Sequence, residues 1–212
     1  MIIRILIADD HAIVRRGVKD ILTELQYPIE VHETSTAADT LHAIINDQFD
    51  IIILDVSFPD GNGLEILNQV KTVKPDSKVL FLSMYPEEQY ARRAMKNGAH
   101  GYLTKDSAPT ELVGAIEKLI TGKKYVTSTL AQILVEDLSS SNTEKMHETL
   151  SDREFQVMLE LADGKKITDI ASSLHISPKT VSTYRIRVFQ KLSITSTAEL
   201  VRYVMENGLH KK

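Results

Sequence analysis

The chain has 212 residues, of which 42% are hydrophobic and 25% charged, the balance of an ordinary soluble globular protein long enough for two modest domains. It contains no cysteine, which excludes disulfides, zinc–thiolate sites and thiol catalysis. The net charge of -4 is unevenly spread: residues from Leu150 onward carry +3 and the remainder -7. An acidic front and a mildly basic back suggest two jobs on one chain.

The opening MIIRILIADD is apolar only briefly, is interrupted by Arg4 and runs into two aspartates. It reads as a first strand rather than a signal peptide. No other stretch approaches membrane-spanning length, so no membrane association is expected and cytoplasmic residence is the default.

Ile2 to Ala8 is a buried strand by pattern, and Ile13, Val14, Val18, Ile21, Leu22 and Leu25 then recur at helical spacing. Ile29 to Val31 is a short second strand, and Ala37 to Ile45 a second helix. Ile51 to Leu54 is wholly apolar without alternation, as a strand buried on both faces requires, and ends abruptly in Asp55. A loop with Pro59, Gly61 and Gly63 follows, then a helix from Leu64. Val79 to Leu82 is a fourth strand ending in Ser83, with a helix around Gln89 to Lys96. Gly101 to Thr104 is a fifth strand running into Lys105, and Pro109 opens a helix to Ile120. Five alternations with short connections predict an α/β fold, a doubly wound five-stranded parallel sheet.

Tyr125 to Leu138 reads as one more helix, and the polar Ser139–Thr149 as the linker. The rest is helical by pattern. Ser151–Glu154 is a capping box, with Leu150 and Phe155 placed as a hydrophobic staple. Ile167 to Leu174 is a second helix, and His175-Ile176-Ser177 a tight turn. Ser177 and Pro178 then open a third helix with Val181, Tyr184, Val188 and Leu192 inward. Ser196–Glu199 is a second capping box before a fourth helix.

Parallel strands would bring Asp9, Asp10, Asp55, Ser83 and Lys105 to one sheet edge, where open α/β sheets bind ligands. Taken singly, a strand-end aspartate is a turn former or helix cap, and that role stays open for Asp10 beside metal binding. Taken together, three carboxylates repel and call for a cation, and an all-oxygen set suits Mg2+. A carboxylate beside such an ion can attack phosphorus and form an acyl phosphate. Lys105 would neutralise phosphoryl charge, and Ser83 would donate to a phosphoryl oxygen.

Residues 2 to 121 resemble the receiver domain of two-component response regulators, through ADD at Ala8–Asp10, LDVSFPDGNG from Leu54, Leu82-Ser83 and GYLTKD from Gly101. The resemblance implies that Asp55 accepts a phosphoryl group from a sensor histidine kinase. It implies Mg2+ on Asp9, Asp10, Asp55 and the Ser57 carbonyl, and a switch pair of Ser83 and Tyr102. A tyrosine simply packed on the sheet edge would look the same as Tyr102. Phe58 stands where the family commonly has Met or Leu, away from the chemistry.

A helix, a turn and a helix opening with Ser-Pro fit a helix-turn-helix, whose second helix enters the major groove of double-stranded DNA. Between Pro178 and Lys191 the charges are Lys179, Arg185, Arg187 and Lys191, with no acid. Lys179, Ser182, Thr183 and Ile186 would face the bases, and Arg187 and Lys191 the phosphates. A generic basic surface helix shares that charge pattern. The stretch LSDREFQVMLELADGKKITDIASSLHISPKTVSTYRIRVFQKL is similar to the four-helix DNA-binding domain of NarL/FixJ (LuxR-type) regulators, with Lys179-Thr180-Val181 in register. The expected organisation is a receiver over residues 1–122, a linker with helix over 123–147, and a LuxR-type domain over 148–212. The expected function is transcription control, with phosphorylation driving a homodimer onto paired half-sites and no enzymatic role. An aspartyl phosphatase would place a second carboxylate where Ser57 stands, and a dinucleotide enzyme would need a G-x-G-x-x-G after the first strand. A protein-interaction role for the helical part is the remaining rival.

Overall fold

The computed structural model describes residues 2–139 and 145–210, with side chains in the helix that ends at Ser139 described up to Val135. The chain divides into two compact units, Met1–Leu134 and Val135–Lys212.

In the first unit the elements run β1 (Ile3–Ala8), α1 (Ala12–Leu22), β2 (Ile29–Thr34), α2 (Ala37–Asn46) and β3 (Ile51–Leu54). Two short strands follow, β4 (Ser57–Phe58) and β5 (Gly61–Asn62), then α3 (Gly63–Val73), β6 (Lys78–Ser83), α4 (Glu87–Lys96), β7 (Gly101–Thr104) and α5 (Ala108–Ile120). The five long strands form one sheet in the order β2-β1-β3-β6-β7, and every pairing in it is parallel.

Period-two geometry explains the continuous apolar runs. Ile5, Ile7, Ile51, Ile53, Leu80, Leu82 and Leu103 pack with Val18 and Leu22 of α1 and Leu112 and Ile116 of α5. The alternate residues Leu6, Ile52, Leu54, Val79 and Phe81 are equally buried, on the face where α2 and α3 pack against each other. Each such side chain contributes about 1.5–3 kcal/mol of burial, offset by the entropy of ordering the chain. Covering helices on both faces is what removes alternation from the sequence.

Three local expectations needed adjustment. The second strand extends beyond Val31 to Thr34, pairing with β1 through Ala8↔Thr34. It is one of the two edge strands, and its polar His32, Glu33 and Thr34 conceal it from a search for apolar runs. The loop after Asp55 is a small antiparallel hairpin, β4 against β5. The helix expected from Tyr125 is α6 (Ser128–Ser139) and begins three residues later. Tyr125 instead donates its backbone N–H to His100 (2.7 Å) and its hydroxyl to Glu111 (2.5 Å).

In the second unit a 3-10 turn (Met146–Thr149) precedes α7 (Asp152–Ala162), α8 (Ile167–Ser173), α9 (Pro178–Lys191) and α10 (Thr197–Glu206). Part of the expected linker, residues 140–144, lies outside the described residues. Its last residues are ordered: His147 is buried, and its backbone N–H donates to the Tyr203 hydroxyl at 3.1 Å. Both halves of the Ser151–Glu154 capping box form, and Leu150 and Phe155 are buried. The Ser196 cap forms on the Glu199 N–H, but the Glu199 carboxylate reaches one residue further back, to the Thr195 N–H at 2.7 Å. Val181, Val188 and Leu192 are buried as the periodicity requires, while Tyr184 is half-exposed.

Candidate functional site

Parallel pairing places the carboxyl ends of β1, β3, β6 and β7 side by side. The ladder extends past the strands, with Asp55 N–H donating to Ala8 (2.9 Å) and Lys105 N–H to Ser83 (2.8 Å). Side chains leaving these ends must therefore converge. Asp9 and Asp55 are buried at 3% and 4% exposure. Lys105 bridges them, its ammonium 2.6 Å from Asp9 Oδ2 and 2.7 Å from Asp55 Oδ2. The other oxygen of each is held locally: Asp55 Oδ1 accepts from the Val56 N–H (2.6 Å), and Asp9 Oδ1 from the His11 N–H (2.8 Å). Asp10 is half-exposed, with its Oδ1 2.6 Å from His11 Nδ1.

The electrostatics are set by burial and by the Lys105 ammonium between two carboxylates. Burial pushes the Asp55 carboxyl up to about 6, with Lys105 pulling against that and Asp9 adding to it. For Lys105 burial works against the charge, but Asp55 and then Asp9 outweigh it and hold the ammonium above its ordinary value. Ligand atoms of Asp9, Asp10, His11 and Asp55 all lie within 4.8 Å of one another. Carboxylates clustered this tightly fit a hard divalent cation.

The chain behind Asp55 is pinned by two features that pattern reading missed. A Cβ at Gly63 would sit 2.0 Å from the Asp55 carbonyl oxygen, so only glycine lets α3 start this close to the site. Asp60 caps α2, accepting from the N–H groups of Ala37 (2.7 Å) and Ala38 (3.0 Å). Ser57 lies half-buried in β4, opposite Asn62. His11 is the residue next to the acids that the pattern overlooked; its adjacency to the acidic pair was the available signal.

Ser83 and Tyr102 meet on one backbone residue. The Ser83 hydroxyl, fully buried, accepts from the Tyr85 N–H at 3.3 Å. The Tyr102 hydroxyl donates to the Tyr85 carbonyl at 2.8 Å. The Tyr102 ring is fully buried and stacked on Phe81, with centroids 6.1 Å apart. Burial raises its hydroxyl well above the usual tyrosine range, opposed by its hydrogen bond with Ser83.

The basic helix α9 sorts its predicted residues into two groups. Lys179, Thr183, Ile186 and Arg187 are exposed, Ile186 at 58%, with Ser182 and Arg185 half-exposed. The Ser182 and Thr183 hydroxyls donate to the carbonyls one turn back, Pro178 (2.9 Å) and Lys179 (3.0 Å). The Arg185 guanidinium lies 5.0 Å from the Phe189 ring centroid. Beside them an open groove of about 630 Å³ is lined by Ile186, Phe189 and Ile194. Thr180 and Lys191 are tied to groups within the domain. Thr180 joins the helix cap, its hydroxyl 2.8 Å from that of Ser177. Lys191, expected to face phosphate, pairs with the buried carboxylate of Glu154 (2.6 Å) and donates to the Thr149 carbonyl (3.1 Å). No helix among the described residues is long and apolar enough to cross a membrane.

Comparison with known proteins agrees with both halves. Residues 5–117 match the response regulator receiver domain family, and residues 148–204 match the luxR family of bacterial regulatory proteins. The chain is 35% identical to Response regulator UvrY of Escherichia coli strain K12 over 208 residues, 98% of this chain and 95% of the relative. It is 34% identical to Response regulator GacA of Pseudomonas aeruginosa, covering 98% and 97%. Among solved structures, the response regulator RcsB in complex with DNA is 25% identical with a TM-score of 0.60, covering 97% and 98%. A LuxR-family response regulator from Aurantimonas sp. SI85-9A1 is 30% identical with a TM-score of 0.58, covering 66% of this chain and all of that one. With both its halves matched in order along one chain, this protein belongs to the two-component response regulators of the NarL/FixJ type, joining a receiver domain to a LuxR-type helical domain.

Proposed function

We propose that phosphoryl transfer from a sensor histidine kinase to Asp55 switches this protein between DNA-binding states and so controls transcription. The observation that carries the proposal is the buried Asp9–Lys105–Asp55 triad at the carboxyl edge of the sheet. An Asp55 carboxylate oxygen attacks phosphorus, the P–N bond of the phosphohistidine breaks, and the imidazole nitrogen leaves with the electron pair. Asp9, Asp10, Asp55 and the Ser57 carbonyl would hold Mg2+, which supplies Lewis-acid stabilisation of the phosphoryl oxygens when bound. Lys105 then exchanges a carboxylate partner for phosphoryl charge, and Ser83 donates its hydroxyl to a phosphoryl oxygen. That move takes Ser83 from the Tyr85 N–H, so Tyr102, bound to the same residue, is the natural second half of the switch.

The output surface is the outer face of α9, with Lys179, Ser182, Thr183 and Ile186 at base edges and Arg185 and Arg187 at phosphates. The RcsB–DNA complex supports a double-stranded DNA partner, and major-groove helices of this type bind as homodimers on paired half-sites. The working division is a receiver over 1–122, a connecting segment over 123–147 and the DNA-binding domain over 148–212, acting in the cytoplasm. The test adds acetyl phosphate and Mg2+ and compares intact mass and sedimentation of wild type and Asp55→Asn. One phosphoryl gained with a shift to dimer, both absent in the variant, is the expected result. An unmodified wild type overturns the site.

A further inference from the structure

We infer that residues 125–134 form a strap that the first unit holds down in its unphosphorylated state and releases when Asp55 is modified. The inference rests on the phosphoacceptor role proposed for Asp55. The segment follows α5, and sequence pattern alone makes it a connector, yet it is fastened at three points. The Tyr125 hydroxyl donates to Glu111 of α5 at 2.5 Å, and its backbone N–H to His100 at 2.7 Å. The Thr127 hydroxyl donates to the Glu87 carboxylate in the first turn of α4. Leu130, fully buried, lies one turn on, its N–H donating to the Thr127 hydroxyl at 3.1 Å. Gly101 of β7 belongs to the same seat, because a Cβ there would lie 3.0 Å from the Tyr125 carbonyl oxygen.

Glu87 is what connects this seat to the site. It stands two residues after Tyr85, whose backbone accepts from the Tyr102 hydroxyl (2.8 Å) and donates to the Ser83 hydroxyl (3.3 Å). The Tyr85 ring packs on Tyr90 of α4, with centroids 4.8 Å apart. When Ser83 turns to a phosphoryl oxygen, the Tyr85 N–H loses its acceptor and the loop entering α4 is freed to shift. Glu87 moves with that loop, away from Thr127, and the strap loses its central fastening. The released residues then lengthen the tether leading onward along the chain, which changes the effective concentration of what it carries.

The experiment measures amide hydrogen exchange over residues 125–134 in the full chain, with intact mass read on the same samples, before and after acetyl phosphate and Mg2+. Modification of wild type should speed exchange in this segment, and Asp55→Asn should show no change. Thr127→Val and Glu87→Ala should each speed exchange roughly fivefold without any phosphoryl donor, the value of one ordinary hydrogen bond. Glu87→Gln keeps an acceptor and should retain the protection. A gained phosphoryl with unchanged protection overturns the strap and leaves the phosphoacceptor standing. No gained phosphoryl overturns the phosphoacceptor, and the strap's trigger with it. Unchanged exchange in both Thr127→Val and Glu87→Ala overturns the fastening itself.

Discussion

At the scale of single residues, burial and one cation decide the behaviour of Asp55. The folded protein holds its proton up to about 6, against 3.8 for a free carboxyl, because burial disfavours the charge more than Lys105 favours it. Between those two values the folded state binds more protons than the unfolded one, so stability falls as pH rises through that window and levels off above about 6. Denaturant titrations of Mg2+-free protein from pH 3.5 to 7 should record that decline, and Asp55→Asn should flatten it. An identical profile in the variant would mean that the carboxyl titrates normally. Gly63 is the other decisive residue. Its place beside the Asp55 carbonyl is visible only once the turn is built, whereas Asp55 itself announces the site by ending an apolar run.

At the scale of elements, the C-terminal helices are held by a polar clamp as well as by their apolar stripes. Glu154 completes the capping box of α7 on the Ser151 N–H at 2.8 Å, and the same oxygen receives Lys191 from the end of α9. Burial works to raise the Glu154 carboxyl, but Lys191 and then Ser151 prevail and hold it below its ordinary 4.5. Its contribution is therefore present above pH 4.5 and is lost as pH falls through the lowered value. Lys191→Ala should destabilise the second unit by about 1–2 kcal/mol in thermal or urea unfolding, since a carboxylate only 4% exposed is left without its cation while the lysine was itself partly solvated. Unaltered unfolding with weakened DNA binding would instead return Lys191 to the phosphates. The Ser151–Glu154 capping box was legible from sequence because its partners are only three positions apart. Which of the four basic side chains on α9 is tied down internally was not, because its partner lies 37 residues away.

At the scale of the whole molecule, charge separates along the chain, with -7 before Leu150 and +3 from there on. On the DNA-binding reading each lysine or arginine at a phosphate adds to the salt dependence of affinity by about 0.9 in log–log slope. Arg187→Ala should weaken binding to all sequences and reduce that slope by roughly one, while Lys179→Ala should relax preference among operators. Lys191→Ala should leave the slope as it was. Fluorescence anisotropy across a salt series separates these outcomes, and an Arg187→Ala slope equal to that of the wild type would remove Arg187 from the phosphates.

The sequence by itself determined the alternation of the five long strands with helices, the parallel sheet and the edge on which Asp9, Asp10, Asp55, Ser83 and Lys105 converge, because strand and helix periods are local and short crossovers favour parallel neighbours. It also determined the capped entrance to α9 and the sign of its charge. Only the tertiary structure decided which groups touch: Lys105 between two carboxylates, Asp60 on the start of α2, Lys191 on Glu154, and Thr127 on Glu87. It also carried β2 through polar residues that no apolar search would include, and ordered His147 at the end of a stretch that reads as linker. The physical reason is common to all of these. Each is a polar contact between residues distant in the chain, whose energy depends on burial and direction, and neither exists until the backbone has brought the partners together.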